Sequence, residues 1–417
     1  MSNNRILFLR NTVYLYLMNI VKLVFPILTL PYLTRKLSTN AFGIVTYVKA
    51  LMVYVQLIID YGFLLSATKE IVFVANDKEK IGRIAGDTLV EKTILAIIAL
   101  LFFIIAVIFI PTLNKNKVFS LLYLLSVLIT IFLFDFLFRG LEKMHLIAIP
   151  YIVAKTIATF FTFVLIKGDS QLLLIPILEI VGNMAAIIIS FYFVSKLEIK
   201  ISFSPIYKWL KDLKESFVYF ISNFATTVFG ALTTVIAGFY LSMSDIAFWG
   251  ICMQILSAAK ALYNPITNSL YPYMLREKDL KIIKKINLLM IIPMVIGSMI
   301  VLFDSEAVMQ IIGGEKYIAA GSILTILLPA FIFSFYSMIY GWPVLGAMGK
   351  IKETTTTTII AAVVQICGLG ILILFNRFSL YGLAISCSLS EMTLFIARYI
   401  IYYKNQKLFK HNFRKIV

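Results

Sequence analysis

Apolar runs long enough to cross about 30 Å of hydrocarbon recur along the whole chain, and this recurrence restricts the fold more than any other feature. They fall at roughly 12–34, 42–68, 93–111, 118–138, 146–166 and 171–195, then at 215–240, 246–270, 287–304, 319–342, 354–375 and 380–403. Lipid offers no partner to backbone polar groups, so such runs are built as helices. The pattern predicts an all-α polytopic membrane protein with twelve transmembrane helices in two six-helix lobes around a central polar cavity. Of the residues, 61% are hydrophobic and 14% charged, whereas soluble domains are about 45–50% apolar and about 25% charged. Arg5 and Arg10 precede the first run as in a signal peptide, but that run is too long for a signal core and is read as a spanning helix.

The net charge of +17 could suggest nucleic acid. The basic residues lie instead in short loops between apolar runs, where they set topology and meet lipid headgroups. With the N-terminus inside, inner segments carry 26 of the 38 Lys and Arg and outer loops carry 7. Both termini are therefore expected in the cytoplasm, and an even helix number is required. Cys252, Cys367 and Cys387 lie in apolar runs without metal-ligand spacing and read as packing residues. His145 and His411 receive no role, and no metal site is expected.

The two halves resemble each other loosely. Leu37-Ser38 before Ala41-Phe42-Gly43 is echoed by Leu241-Ser242 before Ala247-Phe248-Trp249-Gly250. After the next run, Asp77-Lys78-Glu79-Lys80-Ile81 is echoed by Arg276-Glu277-Lys278-Asp279-Leu280-Lys281. Parallel repeats of this kind place a transporter's site between the halves, near the midplane. The expected organisation is an N-terminal lobe at 1–200, a cytoplasmic linker at 201–214 and a C-terminal lobe with a basic tail at 215–417.

Charge at bilayer depth is costly and tends to face a watery interior or a partner. Helical spacing places Asn19, Lys22, Pro26 and Thr29 on one stripe, and Lys49, Gln56 and Asp60 on another. Lys155 aligns with Thr159 and Thr162. Ser257, Lys260, Asn264, Thr267 and Tyr271 form the longest polar face. Glu179 with Asn183, and Ser388 with Glu391 and Arg398, supply the acidic positions. Lys22, Lys49, Lys155 and Lys260 are the expected cationic lumen, and Asn19, Gln56, Asn264 and Thr267 its polar lining. Asp60, Glu179 and Glu391 are the coupling or gate candidates. The competing reading is that lysines and acids pair internally and only fix helix packing.

Pro26 through Tyr47, then Asp60-Tyr61-Gly62-Phe63 with Ser66-Ala67-Thr68-Lys69-Glu70, resemble the N-terminal signature of Wzx-type polysaccharide flippases. Phe138-Arg139-Gly140-Leu141-Glu142-Lys143-Met144 resembles that family's segment after the fourth helix, although Ser38 and Arg139 stand where glycine and glutamine are usual. The family belongs to the multidrug/oligosaccharidyl-lipid/polysaccharide exporter superfamily. The resemblance implies a monomeric transporter of undecaprenyl-pyrophosphate-linked oligosaccharide for O-antigen or capsule, in the bacterial plasma membrane, working by alternating access. Membrane lipids, a polysaccharide polymerase and a chain-length regulator are the implied partners. Lysine suits transient phosphate contact because it acts as a mobile point charge. No G-x-x-x-x-G-K-[ST] loop is present, so no nucleotide or other cofactor is expected. A multidrug exporter of the same superfamily is the alternative, although Lys22 in the first helix suits anions better than cations. A membrane glycosyltransferase or polysaccharide polymerase is disfavoured because the outer loops are too short to hold a catalytic site.

Overall fold

The computed structural model describes the backbone at residues 3–277 and 279–414; the side chains of 3–9, 222, 225–230 and 407–414 lie outside the described set, as does the end of the basic tail. The described residues are almost wholly helical. The first unit, Met1–Val235, contains α1 (Asn3–Lys36), α2 (Thr39–Asp60), α3 (Phe63–Phe73), α4 (Lys78–Phe109), α5 (Pro111–Lys115), α6 (Lys117–Leu128), α7 (Asp135–Gly140), α8 (His145–Leu165), α9 (Leu174–Lys196) and most of α10 (Ile206–Tyr240). The second unit, Ile236–Val417, contains the end of α10, then α11 (Met243–Glu277), α12 (Lys281–Gly313), α13 (Gly321–Ile326), α14 (Leu328–Ile339), α15 (Ile351–Leu374) and α16 (Leu380–Arg414). The division falls inside α10, so residues 201–214 lie within the first unit.

Eleven described segments are long and apolar enough to cross a membrane. The twelfth expected run, 215–240, coincides with α10, whose apolar described stretch is Ala231–Tyr240. Phe102, Phe109, Leu288, Leu289 and Phe303 are all at least 65% exposed. A soluble protein rarely tolerates such contiguous apolar surface, whereas hydrocarbon accepts it at no cost.

The echoed sequence pairs have the same structural job. Ser38 Oγ accepts from Ala41 N at 3.1 Å and caps α2, and Ser242 Oγ accepts from Asp245 N at 3.1 Å at the start of α11. Asp77 caps α4 through Lys80 N, while the Asp279 carboxylate accepts from Lys281 N at 2.8 Å ahead of α12. Each hydroxyl or carboxylate satisfies a donor that a helix start leaves without a partner. At the same end of α2, Ser38 N donates to Asp169 Oδ1 at 2.8 Å. Tyr32 there donates to the carbonyls of Phe163 and Ile166, tying α1 to the end of α8.

The stretch between the expected runs at 42–68 and 93–111 is largely helical. α3 runs to Phe73, a short turn follows, and α4 starts at Lys78, fifteen residues before the expected 93. Two glycines one turn apart on this part of α4 admit a close backbone approach. A Cβ on Gly82 would sit 1.9 Å from the Lys200 carbonyl oxygen, and one on Gly86 would sit 2.0 Å from that of Ser202. The chain between α9 and α10 therefore lies directly on α4, with Ser202 N donating to Gly82 O at 3.2 Å. Asp87 receives Ser204 N at 2.7 Å and Trp209 Nε1 at 2.9 Å. Around this contact, Phe63, Ile71, Ile81, Phe134, Phe136, Phe138, Leu146 and Ile199 form a buried apolar cluster.

An exposed helical glycine normally gains about 0.5–1 kcal/mol on replacement by alanine. Gly297, with nothing within 4 Å of its would-be Cβ, is expected to show that gain. Gly86→Ala should instead lower stability by about 1–3 kcal/mol, because a backbone carbonyl must move. Thermal unfolding of the detergent-solubilised protein separates the two; a Gly86→Ala protein as stable as wild type would refute the close contact.

Candidate functional site

Two membrane segments of the first unit are broken rather than continuous, and the polar side chains gather at the breaks. The first break follows Asp60: Tyr61 has φ 41° and Gly62 φ 90°, and α3 starts at Phe63. Glycine suits this left-handed position, and its missing side chain is also needed for packing, since a Cβ there would lie 2.5 Å from Tyr219 Cβ. The Asp60-Tyr61-Gly62-Phe63 run that carried the family resemblance is thus the break itself. The second break lies between α6 and α7, where a 3-10 turn at Ile129–Phe132 leads into extended Leu133 before Asp135 opens α7. Non-helical backbone at membrane depth persists only where protein or a polar cavity covers it.

The two breaks meet at a cavity of about 100 Å³ lined by Gln56, Asp60, Leu64, Lys92, Thr130, Leu133, Asp135 and Phe136. Thr130 Oγ1 donates to Gln56 Oε1 at 3.3 Å, and Gln56 Nε2 donates to Asp60 Oδ2 at 2.9 Å. Lys92 Nζ reaches the other Asp60 oxygen at 3.3 Å and stands 5.7 Å from the centre of the Phe136 ring. Asp135, in the first turn of α7 where the helix dipole favours an anion, faces Lys92, Asp60, Lys22 and Arg139. Lys22 lies over the Tyr151 ring at 5.2 Å, a cation–π contact.

A second cluster in the same unit joins α2, α8 and α9. Lys155 Nζ and Glu179 Oε2 are 2.7 Å apart. Lys49 also faces Glu179 and lies 5.9 Å from the Tyr123 ring centre. Asn183 Nδ2 donates to the Ser126 carbonyl at 2.8 Å. Taken together, the two clusters set Lys22, Lys49, Lys92, Arg139 and Lys155 against Asp60, Asp135 and Glu179. Five cations against three anions leave a positive field.

The second unit has its own polar core. Lys260 pairs with the 4%-exposed Glu391, which also accepts from Ser337 Oγ at 3.5 Å. The buried Arg398 donates to the Ser337 carbonyl at 2.6 Å and to the hydroxyls of Thr357 and Thr358. Its guanidinium fits against Gly341, where α14 gives way to a π-helical turn at Tyr340–Gly346 and a Cβ would meet Arg398 Nη1 at 2.7 Å.

Of the four lysines expected to line a lumen, Lys155 and Lys260 are held by carboxylates. Among the described residues Lys22 and Lys49 form no ion pair and rest on aromatic faces. Gln56 and Asp60 come together, whereas Asn19 and Asn264 are exposed. Thr267 is buried and returns its hydroxyl to its own helix through Asn264 O at 3.0 Å. Lys92 and Asp135 escaped the sequence reading. Lys92 stands just ahead of the expected membrane run, and Asp135 sits inside one without a polar stripe to draw notice to it.

Removing one partner of a buried pair strands the other charge. Lys155→Met or Glu179→Gln should each cost somewhat less than the about 3–5 kcal/mol of a fully dry pair, since both side chains keep some accessibility. The Lys155→Met/Glu179→Gln double variant should lose less than the sum. Strict additivity in thermal unfolding would mean that the pair is not formed.

The chain matches the polysaccharide biosynthesis protein family over residues 8–278. It is 27% identical to a protein of Escherichia coli (strain K12) named for O-antigen transport, over 98% of this chain and 99% of that one. It is also 27% identical to a protein of Shigella dysenteriae with the same name, over 92% and 97%. Among solved structures, the lipid II flippase MurJ in an inward closed conformation superposes with a TM-score of 0.68 at 14% identity, covering 97% of this chain and 90% of that one. An inward-facing multidrug resistance transporter of the MATE family, in the MOP superfamily, gives 0.60 at 14% identity over 94% and 99%. The fold is therefore that of these transporters of the MOP superfamily, and the chain belongs to the polysaccharide biosynthesis protein family.

Proposed function

We propose that this protein flips undecaprenyl-pyrophosphate-linked oligosaccharide repeat units from the inner to the outer leaflet of the bacterial plasma membrane by alternating access. The observation that carries the reading is the positive excess inside the first unit, where among the described residues Lys22 and Lys49 form no ion pair and rest on aromatic rings. Such lysines can exchange aromatic contact for a pyrophosphate oxygen without first breaking a salt bridge. Gln56 offers hydrogen bonds to sugar hydroxyls, as do the accessible Asn19 and Asn264. Lys155 and Lys260 stay with Glu179 and Glu391 and hold the helices that carry the site. Asp60, at the α2–α3 break, serves with Lys92 as a gate contact that opens as α3 swings.

The relatives named for O-antigen transport and the lipid II flippase fold support this substrate class. Both termini would lie in the cytoplasm, where the basic segments meet anionic lipid. The protein would act as a monomer and hand its cargo to a polymerase with its chain-length regulator. An inside-negative potential drives the step, by about 2.3 kcal/mol per headgroup charge per 100 mV.

Depletion of the protein in its host should leave complete lipid-linked repeat units on the cytoplasmic leaflet. Incomplete units would point to a transferase, complete units stranded outside to a polymerase, and an unchanged pool to a drug exporter. In the complemented strain, Lys22→Gln with Lys49→Gln should cut transport at limiting substrate roughly tenfold, equivalent to about 1.4 kcal/mol. The corresponding Arg variants should lose less. Normal flipping in the double Gln variant would sink the cationic site.

A further inference from the structure

A second group of charges lies outside the site described above, where α4 meets α3 and the start of α10. Glu91, on α4, is 2% exposed, and its Oε1 has no hydrogen-bond partner. It faces Asp212 of α10, Asp87 of its own helix, Glu70 of α3 and Lys208 of α10. Asp87 and Asp212 are themselves 3% and 8% exposed. The neighbours are already committed elsewhere. Asp87 takes the Ser204 amide and the Trp209 indole N–H. Lys208 is 2.7 Å from Asp212 and 3.6 Å from Glu70. Burial pulls the Lys208 ammonium down, but the Asp212 hydrogen bond and the two carboxylates outweigh it and hold Lys208 above its ordinary value. Four carboxylates thus share one ammonium, and the most enclosed of them receives no donor.

An ionised, unpartnered carboxylate in that position would be severely unfavourable. We propose that Glu91 is a proton-binding site, and that its proton leaves only when the start of α10 parts from α3 and α4. The cover consists of the Ser66 Oγ to Ser216 Oγ hydrogen bond of 2.8 Å, the Lys208 bridge to Glu70 and the Trp209 contact with Asp87. Parting them admits water to Glu91, so proton release and movement of α10 are one event. Binding forms one O–H bond on Glu91 with a proton from bulk water, and release reverses it. The site goes beyond the flipping reading, because it requires proton exchange whatever the cargo.

The test uses the purified full chain with no substrate, so it stands whether or not the flipping assignment does. Infrared spectra at neutral pH should show the carbonyl stretch of a protonated carboxylic acid that Glu91→Gln removes. Raising the pH should abolish that band in wild type and at the same pH change the fluorescence of Trp209, one of three tryptophans; in Glu91→Gln the fluorescence step should vanish. Asp212→Asn removes a negative neighbour and should move the step to lower pH, which keeps the proposal open to refutation if glutamine at 91 impairs folding. A wild-type spectrum without a band that depends on Glu91, or an Asp212→Asn step at the unchanged pH, would overturn it.

Discussion

The structure depends on one constraint: inside hydrocarbon every backbone N–H and C=O must find its partner within the protein. Helices satisfy this by themselves, so nearly the whole described chain is helical. The constraint is relaxed at Asp60–Gly62 and at Ile129–Phe134, and those two places share one polar cavity. Each break frees backbone groups that need cover. Ser190 Oγ accepts from Phe134 N at 3.5 Å and Thr130 Oγ1 donates to Val127 O at 2.6 Å, while Gln56, Asp60, Lys92 and Asp135, which lipid could not solvate, line the cavity beside them. Polarity and irregular backbone therefore occur together for a physical reason.

The charges of the first unit follow from the same logic. A lysine at membrane depth can be neutralised by a carboxylate, as Lys155 is by Glu179, or it can rest on an aromatic face, as Lys22 rests on Tyr151. The first arrangement braces helices and is costly to disturb. The second is weaker, on the order of 0.5–2 kcal/mol, and leaves the charge available. Both are present here, so internal pairing describes Lys155 and does not describe Lys22.

Much of the fold was legible from apolar run length alone, because lipid imposes that length. Positions of charge along each run were legible too, and they flagged Asp60, Lys155, Glu179, Lys260 and Glu391. What spacing on one helix cannot show is the partner on another. The Lys155–Glu179 and Lys260–Glu391 pairs are separated by 24 and 131 residues. Thr267 shows the converse, since a hydroxyl on a polar stripe can be used up by its own helix. Lys92 falls just outside the expected apolar run at 93–111, whereas α4 continues through it from Lys78. The echoed Ser38 and Ser242 were legible as a repeat, and the structure adds that both are helix caps.

The glycine pair on α4 has a practical consequence for anyone who wants to cut or tag this protein. By length and composition, the stretch joining α9 to α10 looks like the natural place for a protease site or an inserted reporter. Yet its carbonyls lie on Gly82 and Gly86, and its Ser204 amide is held by Asp87. It behaves as a structural strap rather than slack chain, so lengthening it would lift α10 from α4 and remove the cover of Glu91.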